Sequence, residues 1–242
     1  MSTNGASINA GATNTSVGDF TTLLLTVNPT LNTSDYPVVF TQFSATLSGL
    51  PGAGAARCPV CAIPQPLGET CGNCLRHPPS FDATRAVLDY GFPVDKLVQA
   101  LKYGHRLAAS RLFVDLMAAL PVPQADLVMP MPLHSARLAS RGFNQAAELA
   151  RPLAKCWGLP VLLDGIVRDV DTRPQASLPW KERTANVRGA FRVAGGVEGL
   201  RVVVVDDVMT TGATLAELAR TLKDVGAVSV ENRVVARTPA PA

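Results

Sequence analysis

The chain has 242 residues, enough for one sizeable domain and a smaller module. Hydrophobic residues make up 47% of it, which is ample for a packed core, and no apolar run reaches the roughly 18 residues that a membrane-spanning helix needs. We therefore expect a soluble, cytoplasmic protein without membrane insertion, and the net charge of +3 does not by itself indicate a nucleic-acid partner.

The first 57 residues differ in composition from the rest of the chain. They contain one basic residue and two acidic residues among many Ser, Thr, Asn, Gly and Ala residues. Apart from a short strand predicted at YPVVF, they show no apolar periodicity. Residues 1–57 are therefore predicted to be a disordered extension.

Four cysteines follow as two C-x-x-C pairs, Cys58 with Cys61 and Cys71 with Cys74. Two such pairs supply the four sulfur ligands of a tetrahedral structural zinc site, which leaves no position for a substrate. Disulfide pairing is the alternative, and the lack of a secretion signal argues against it. Residues 58–80 are thus predicted to form a zinc-ribbon module. The remaining cysteine, Cys156, lies in a helical stretch and is interpreted as a core residue.

Residues 81–242 alternate between predicted strands and helices. Strands are predicted at DATRAVLDYG, ADLVMPMP, GIVRDV, AFRVAG, RVVVVDD and AVSVENRVVART. Helices are predicted at VDKLVQALKYG, LAASRLFVDLMAAL, FNQAAELARPLAKCWG and ATLAELARTLKDVG, with a kink or break in the third of them at Pro152. This alternation predicts an α/β domain in which helices flank a mostly parallel sheet.

The basic residues are concentrated in residues 130–192, which contain ten Lys or Arg residues and five Asp or Glu residues. Such an excess suits a polyanionic ligand, a diphosphate or a nucleic acid, and a solvated basic surface explains it equally well. Arg137 and Arg141 are four residues apart and would share one face of a helix, from which they can bind a diphosphate. The alternative role of this pair is to hydrogen-bond carbonyl groups at a domain contact.

The stretch VVVVDDVMTTGAT, residues 202–214, joins an apolar strand to two acids and a run of small residues. Consecutive apolar residues predict a central parallel strand, and the helix after it directs backbone N–H groups into the crevice at the carboxyl end of the sheet. Asp206 and Asp207 are expected to bind sugar hydroxyls or to place a divalent cation through water, and the alternative is that they only cap the next helix. Neither a Walker A loop nor a dinucleotide-binding fingerprint is present. The predicted phosphate-binding loop consists of Thr210, Thr211, Gly212, Ala213 and Thr214.

These thirteen residues resemble the PRPP-binding loop of type I phosphoribosyltransferases. Before them, in order, come the cysteine pairs and the stretches LKYGHR, PMPLHSARLASRGFNQAAELA and RPQASLPWKERTANVRGAF. Together these motifs resemble the ComF family, which joins a zinc ribbon to a type I phosphoribosyltransferase domain. That family is linked to natural competence, the uptake and use of external DNA. The resemblance covers about residues 58–237.

The resemblance implies a protein that binds PRPP or a related ribose phosphate with Mg²⁺, in a phosphoribosyltransferase-like domain at residues 81–242. It implies that Asp206 and Asp207 are the catalytic carboxylates and that Arg137 and Arg141 bind the pyrophosphate group. It further implies a mobile catalytic loop, most like that of the amidophosphoribosyltransferase branch, for which a solvated surface loop is the alternative. The residues assigned to that loop are Gln175, Lys181, Arg183 and Arg188.

A second hypothesis keeps the fold without catalysis. In it the protein binds a nucleotide or single-stranded DNA within the competence machinery, with other competence proteins as further partners. The aromatic content of 5% argues against tight binding by base stacking. The motif that resembles a PRPP-binding loop therefore favours the first hypothesis.

Overall fold

The computed structural model describes residues 50–103, 107–168, 187–193 and 195–239, and the fold is given for these residues. The predicted strand at YPVVF lies outside them. In chain order the elements are α1 (Gly72–Arg76), β1 (Ala83–Asp89), α2 (Val94–Tyr103), α3 (Leu107–Ala118), β2 (Leu127–Pro130), α4 (Ser135–Arg141), α5 (Gln145–Trp157), β3 (Ile166–Arg168), β4 (Phe191–Val193), β5 (Arg201–Met209), α6 (Ala213–Asp224) and β6 (Ser229–Arg237).

A four-stranded sheet with the order β1-β6-β5-β2 forms the centre of the fold. Every neighbouring pair in it is parallel, which confirms the predicted fold class. β3 and β4 form a separate antiparallel pair, with Ile166 opposite Val193 and Arg168 opposite Phe191. In the main sheet β5 is an inner strand, so its carboxyl end lies beside those of β2 and β6.

The four valines of β5 are buried because helices or the cysteine module cover both faces of the sheet. Val202 and Val204 belong to one hydrophobic cluster, which includes α6 and the four paired cysteines. Val203 and Val205 belong to the other, which includes residues of α2, α3 and α5. An inner strand packed on both faces needs apolar side chains at consecutive positions, which is the pattern that the sequence shows.

Helix α5 runs through Pro152 without interruption, so of the predicted kink or break at this residue, the break does not occur. A proline inside a helix removes the N–H that would bond the carbonyl four residues earlier, here that of Glu148. The hydroxyl of Ser110 on α3 donates to this carbonyl at 3.3 Å. This hydrogen bond from the neighbouring helix replaces the missing one, a tertiary contact that propensity does not reveal.

Residues 50–57, assigned to the extension by composition, pack against the fold. Leu50 is buried, and Arg57 forms an ion pair of 2.8 Å with Asp89 at the end of β1. Arg57 also donates to the carbonyl of Ala62 in the cysteine module. One buried leucine and one arginine thus hold residues 50–57 against the fold, and the domain boundary at residue 57 stays a prediction.

Two further findings concern the exposure of Cys156 and the search for a membrane-spanning helix. Cys156 is exposed on α5, so its interpretation as a core residue is wrong; the helix directs it away from the sheet. Within the described residues, no helix has the length and apolar character that crossing a bilayer requires.

Candidate functional site

A cavity of about 290 Å³ opens where β2 and β5 end. In a parallel sheet the carboxyl ends of the strands form a crevice in which ligands bind, and the cavity occupies this place. It brings together residues from distant parts of the sequence, including both predicted arginines and both predicted carboxylates. The polar and glycine residues that line it are Tyr90, Lys102, Arg137, Arg141, Asn144, Gln145, Arg168, Asp206, Asp207, Thr210, Gly212 and Thr214.

The predicted phosphate-binding loop forms one wall of the cavity and leads directly into α6. Gly212 precedes the helix with a φ of +85°, a conformation that L side chains rarely adopt. A Cβ atom there would also lie 2.5 Å from Met209 Cε, so the position favours glycine for two reasons. The N–H of Ala213 donates to Thr211 Oγ1 at 3.2 Å. The loop thus places a helix N-terminus at the cavity, a favourable place for an anion.

Asp206 and Asp207 lie side by side at the end of β5. The N–H of Asp207 donates to Asp206 Oδ1 at 2.8 Å, and the N–H of Val208 donates to Asp207 Oδ1 at 2.7 Å. Asp207 also forms an ion pair of 2.8 Å with Lys102 Nζ, from the end of α2. A backbone N–H therefore fixes the orientation of each carboxylate, and Lys102 holds the second oxygen of Asp207.

The local charges affect Asp206 and Lys102 in different ways. Burial, with the adjacent Asp207 carboxylate, raises the pKa of Asp206 to about 7, although Lys102 and Arg168 act in the opposite direction. Burial would lower the pKa of Lys102, but the charge of Asp207 and the hydrogen bond to it outweigh burial and raise it. Lys102 therefore stays charged beside the two acids, whereas Asp206 binds a proton more readily than an ordinary carboxyl group does.

Helix α4 carries both predicted arginines to the cavity. Its N-cap is His134, whose Nδ1 accepts from the N–H of Ala136 at 3.2 Å. Arg137 and Arg141 are one helical turn apart, and both line the cavity. The structure therefore brings the arginine pair, the acid pair and the loop into one site.

The four cysteines of the two C-x-x-C motifs form a second site, which lies outside the cavity lining. Their ligand atoms all lie within 4.8 Å of one another, and all four residues are buried free thiols. Cys61 Sγ and Cys71 Sγ are 3.6 Å apart. Two sulfurs on a tetrahedral zinc ion, with bonds of about 2.3 Å, would be about 3.8 Å apart. The cluster therefore fits a zinc ion, as a zinc ribbon requires.

Burial and backbone hydrogen bonds shift the thiol pKa values of the cluster in opposite directions, and burial raises the pKa of Cys74. Burial would raise the pKa of Cys58, but backbone N–H groups, including that of Cys71 at 3.3 Å, lower it to about 7. Burial raises the pKa of Cys61 to about 11. A divalent cation would favour the thiolate form of every ligand.

Comparison with known proteins agrees with this architecture. The family model for the phosphoribosyl transferase domain matches residues 138–242. The "DNA utilization protein YhgH" of Salmonella typhi is 38% identical over 192 residues, covering 75% of this chain and 84% of that protein. "Competence protein F" of Haemophilus influenzae is 31% identical over 180 residues, covering 69% of this chain and 78% of that protein.

The chain belongs to the ComF family. Among solved structures, a glutamine phosphoribosylpyrophosphate amidotransferase from B. subtilis is 22% identical with a TM-score of 0.40. That match covers 56% of this chain and 30% of the other. Because the TM-score is low, we do not base the fold assignment of this ComF-family protein on that structure. The assignment is based on the parallel sheet of the protein itself and on its relatives.

Lys102, Tyr90, Asn144 and Arg168 are among the residues of the site that escaped sequence reasoning. Lys102 belongs to the LKYGHR stretch, whose role the sequence does not indicate. Asn144 caps α5 through Oδ1, and its Nδ2 donates to the carbonyl of Met131 at 3.0 Å. An Asn before a helical pattern is a recognisable N-cap signal. No local signal places the other three beside β5.

The predicted mobile loop lies almost wholly outside the described residues, which include only its last part. Gln175, Lys181 and Arg183 fall outside them, and their assignment stays a prediction. Arg188 is exposed and does not line the cavity, although its charge helps to lower the pKa of Glu217 on α6 after the larger effect of Arg220. Its role in a closing loop also stays a prediction.

The stability of the protein without added ligand is expected to depend on Asp206. A carboxyl with a pKa of about 3.9 in the unfolded chain and a higher one in the folded protein binds its proton more tightly when folded. The folded state therefore loses stability as the pH rises from about 4 to about 7. Asp206→Asn is expected to raise the melting temperature by several degrees at about pH 8 and to change it little at about pH 4.

The matched control for this prediction is Asp126→Asn. Asp126 pairs with Arg201 at the amino end of β5, and the hydrogen bonds from Arg201 lower its pKa to about 2. Its contribution is present above the unfolded pKa and lost as the pH falls, so this variant gains nothing at high pH. Equal effects of Asp206→Asn at both pH values, measured by scanning calorimetry, would contradict the assignment.

Proposed function

We propose that this ComF-family protein binds PRPP with Mg²⁺ in the cavity at the end of β5. One observation carries the proposal: the helix N-terminus of the loop, the acid pair and the arginine pair line one cavity of about 290 Å³. An anion site beside hydroxyl acceptors and a second cationic region matches the order of groups in PRPP. The match to the phosphoribosyl transferase domain and the names of the relatives support a competence-related, phosphoribosyltransferase-like protein.

In this proposal each group of residues binds one part of the ligand. The N–H groups and hydroxyls of residues 210–214 hold the 5′-phosphate, and Asp206 and Asp207 accept hydrogen bonds from the ribose hydroxyls. Arg137 and Arg141 bind the diphosphate bidentately. Mg²⁺, which proteins usually bind together with the phosphate oxygens of a substrate, would neutralise part of the diphosphate charge when bound.

The same arrangement would support transfer of the phosphoribosyl group. As an acceptor nucleophile forms its bond to the anomeric carbon, the bond to the diphosphate oxygen breaks and pyrophosphate leaves. Positive charge develops on the ring, as it does in glycoside cleavage, and in this proposal the two carboxylates stabilise it. The arginines stabilise the negative charge of the leaving group.

A panel of ligands tests the proposal by thermal shift of the zinc-loaded full chain. We expect PRPP with Mg²⁺ to raise the melting temperature more than pyrophosphate or ribose 5-phosphate, because only PRPP engages all three groups of residues. A single-stranded oligonucleotide serves as the competing ligand. Stabilisation by the oligonucleotide that falls with added salt, without any by PRPP, would instead support the single-stranded DNA hypothesis.

A further inference from the structure

A buried guanidinium connects the cysteine cluster to the phosphate-binding loop. Arg237, the last residue of β6, is 2% exposed. Its Nε donates to the carbonyl of Cys61 at 2.8 Å, and its Nη1 donates to the carbonyl of Met209 at 3.1 Å. Nη1 also donates to the carbonyls of Thr210 and Thr238. One side chain thus bonds a zinc-binding segment, the end of β5 and the first residue of the loop.

The chemistry of arginine explains how it joins these segments. Its guanidinium has N–H donors spread over a plane, so it can reach carbonyl groups that come from different directions. A buried charge is costly unless it is hydrogen-bonded, and these carbonyl groups are its acceptors. Displacing either the Cys61 or the Thr210 carbonyl would leave part of this charge unsatisfied. The two segments are therefore held in one relative arrangement.

A packing contact connects the same two regions a second time. Phe81 follows the cysteine module, and a Cβ on Gly212 would lie 3.7 Å from its ring. Met209 contacts the same glycine position, and Phe81 and Met209 share one hydrophobic cluster with the four paired cysteines. Gly212 thus packs closely against two residues that belong to the same hydrophobic cluster as the cysteine module.

We infer that Arg237 is a positioning residue that couples zinc binding at the cysteine cluster to the conformation of residues 210–214. A bound zinc ion fixes the backbone at Cys61, and Arg237 transmits this order to the carbonyl of Thr210. Coupling of this kind is reciprocal, so an anion bound to the loop should raise the affinity of the cluster for zinc by the same factor. The role of the loop in phosphate binding rests on the proposed function, whereas the coupling itself does not.

Hydrogen exchange of the full chain, measured by mass spectrometry with and without a zinc chelator, tests this inference. In the wild type, chelation should speed exchange at 209–215 as well as at 58–64. With zinc bound, Arg237→Gln should already exchange about ten-fold faster at 209–215, and chelation should then add little. A residue with a merely structural role would give independent, additive effects.

Arg201→Gln is the matched control for the loss of a guanidinium. Arg201 lies at the amino end of β5, where it donates to Asp126, far along the strand from the loop. In this variant, exchange at residues 58–64 and 209–215 should match that of the wild type, both with zinc bound and after chelation. Arg237→Lys, which keeps the charge but not the planar donors, should lie between the wild type and Arg237→Gln.

The wild-type experiment decides the outcome even if Arg237→Gln does not fold. Unchanged exchange at 209–215 after chelation, with faster exchange at 58–64, would overturn the coupling. Wild-type rates at 209–215 in zinc-loaded Arg237→Lys and Arg237→Gln would overturn the role of Arg237. A titration with PRPP separates the two claims: coupling without PRPP binding supports this inference and refutes the proposed function.

Discussion

Changing both Asp206 and Asp207 to Asn is expected to weaken PRPP binding by about 100-fold or more. Each charge-assisted hydrogen bond to a carboxylate contributes about 1.5–3 kcal/mol, and the variant loses that assistance at two acceptors next to the ribose. Removing two negative charges also reduces their repulsion of the PRPP phosphates. In the proposed complex the phosphates are farther from the two carboxylates than the ribose hydroxyls are, so this repulsion is weaker and partly screened. The hydroxyl contacts should therefore dominate. Calorimetric titration with PRPP and Mg²⁺ measures the change.

Pyrophosphate provides the internal control for this variant. It has no ribose hydroxyls, so its affinity should be unchanged or higher when the two acids are neutral. Asp126→Asn removes a carboxylate at the opposite end of β5 and should bind PRPP like the wild type. Equal losses of affinity for PRPP and for pyrophosphate would mean that the double variant damages the fold. An unchanged PRPP affinity would show that the two carboxylates do not contribute to PRPP binding.

Loss of zinc is expected to have the largest effect on stability. A ligand present at about 1,000 times its dissociation constant stabilises the folded state by about 4 kcal/mol. For a chain of this size that corresponds to about 8–16 °C in melting temperature. Chelation, or Cys61→Ser, should lower the melting temperature by such an amount, measured by scanning calorimetry. Because thiols release protons when they bind zinc, the stabilisation should weaken at low pH.

Cys156→Ser is the matched control for the predicted zinc ligands. Cys156 is exposed on α5 and lies outside the cluster, so this change should alter neither the zinc content nor the melting temperature. Metal analysis should give one zinc ion per chain in this variant and in the wild type. A melting temperature that is insensitive to both chelation and Cys61→Ser would show that the cluster does not depend on a metal.

The parts of the fold that the sequence could reveal are those with local signals. The valines of β5 followed by Asp206 predict a buried strand with acids at its carboxyl end, because burial and position in the sheet follow from the pattern itself. The spacing of the four cysteines predicts their cluster for the same reason. Arg137 and Arg141 needed only helical periodicity to be placed on one face.

The parts that could not be predicted depend on contacts between distant residues. Ser110 compensates Pro152 from another helix, and Lys102 reaches Asp207 across about a hundred residues of sequence. Arg237 reads as an ordinary charged residue near the end of the chain, yet the sheet places it between Cys61 and Thr210. Such partners arise only when the strands are aligned, so periodicity and composition carry no trace of them.

The central claim is that the cavity at the end of β5 binds PRPP. Calorimetric titration of PRPP into the zinc-loaded full chain, with and without Mg²⁺, tests it most directly. With Mg²⁺ present, the proposal predicts a dissociation constant on the order of micromolar, equivalent to a binding free energy of about −8 kcal/mol. Omitting Mg²⁺ should weaken the binding. Absence of any heat of binding in a folded, zinc-loaded protein would contradict the proposal and leave residues 210–214 with a role in the scaffold alone.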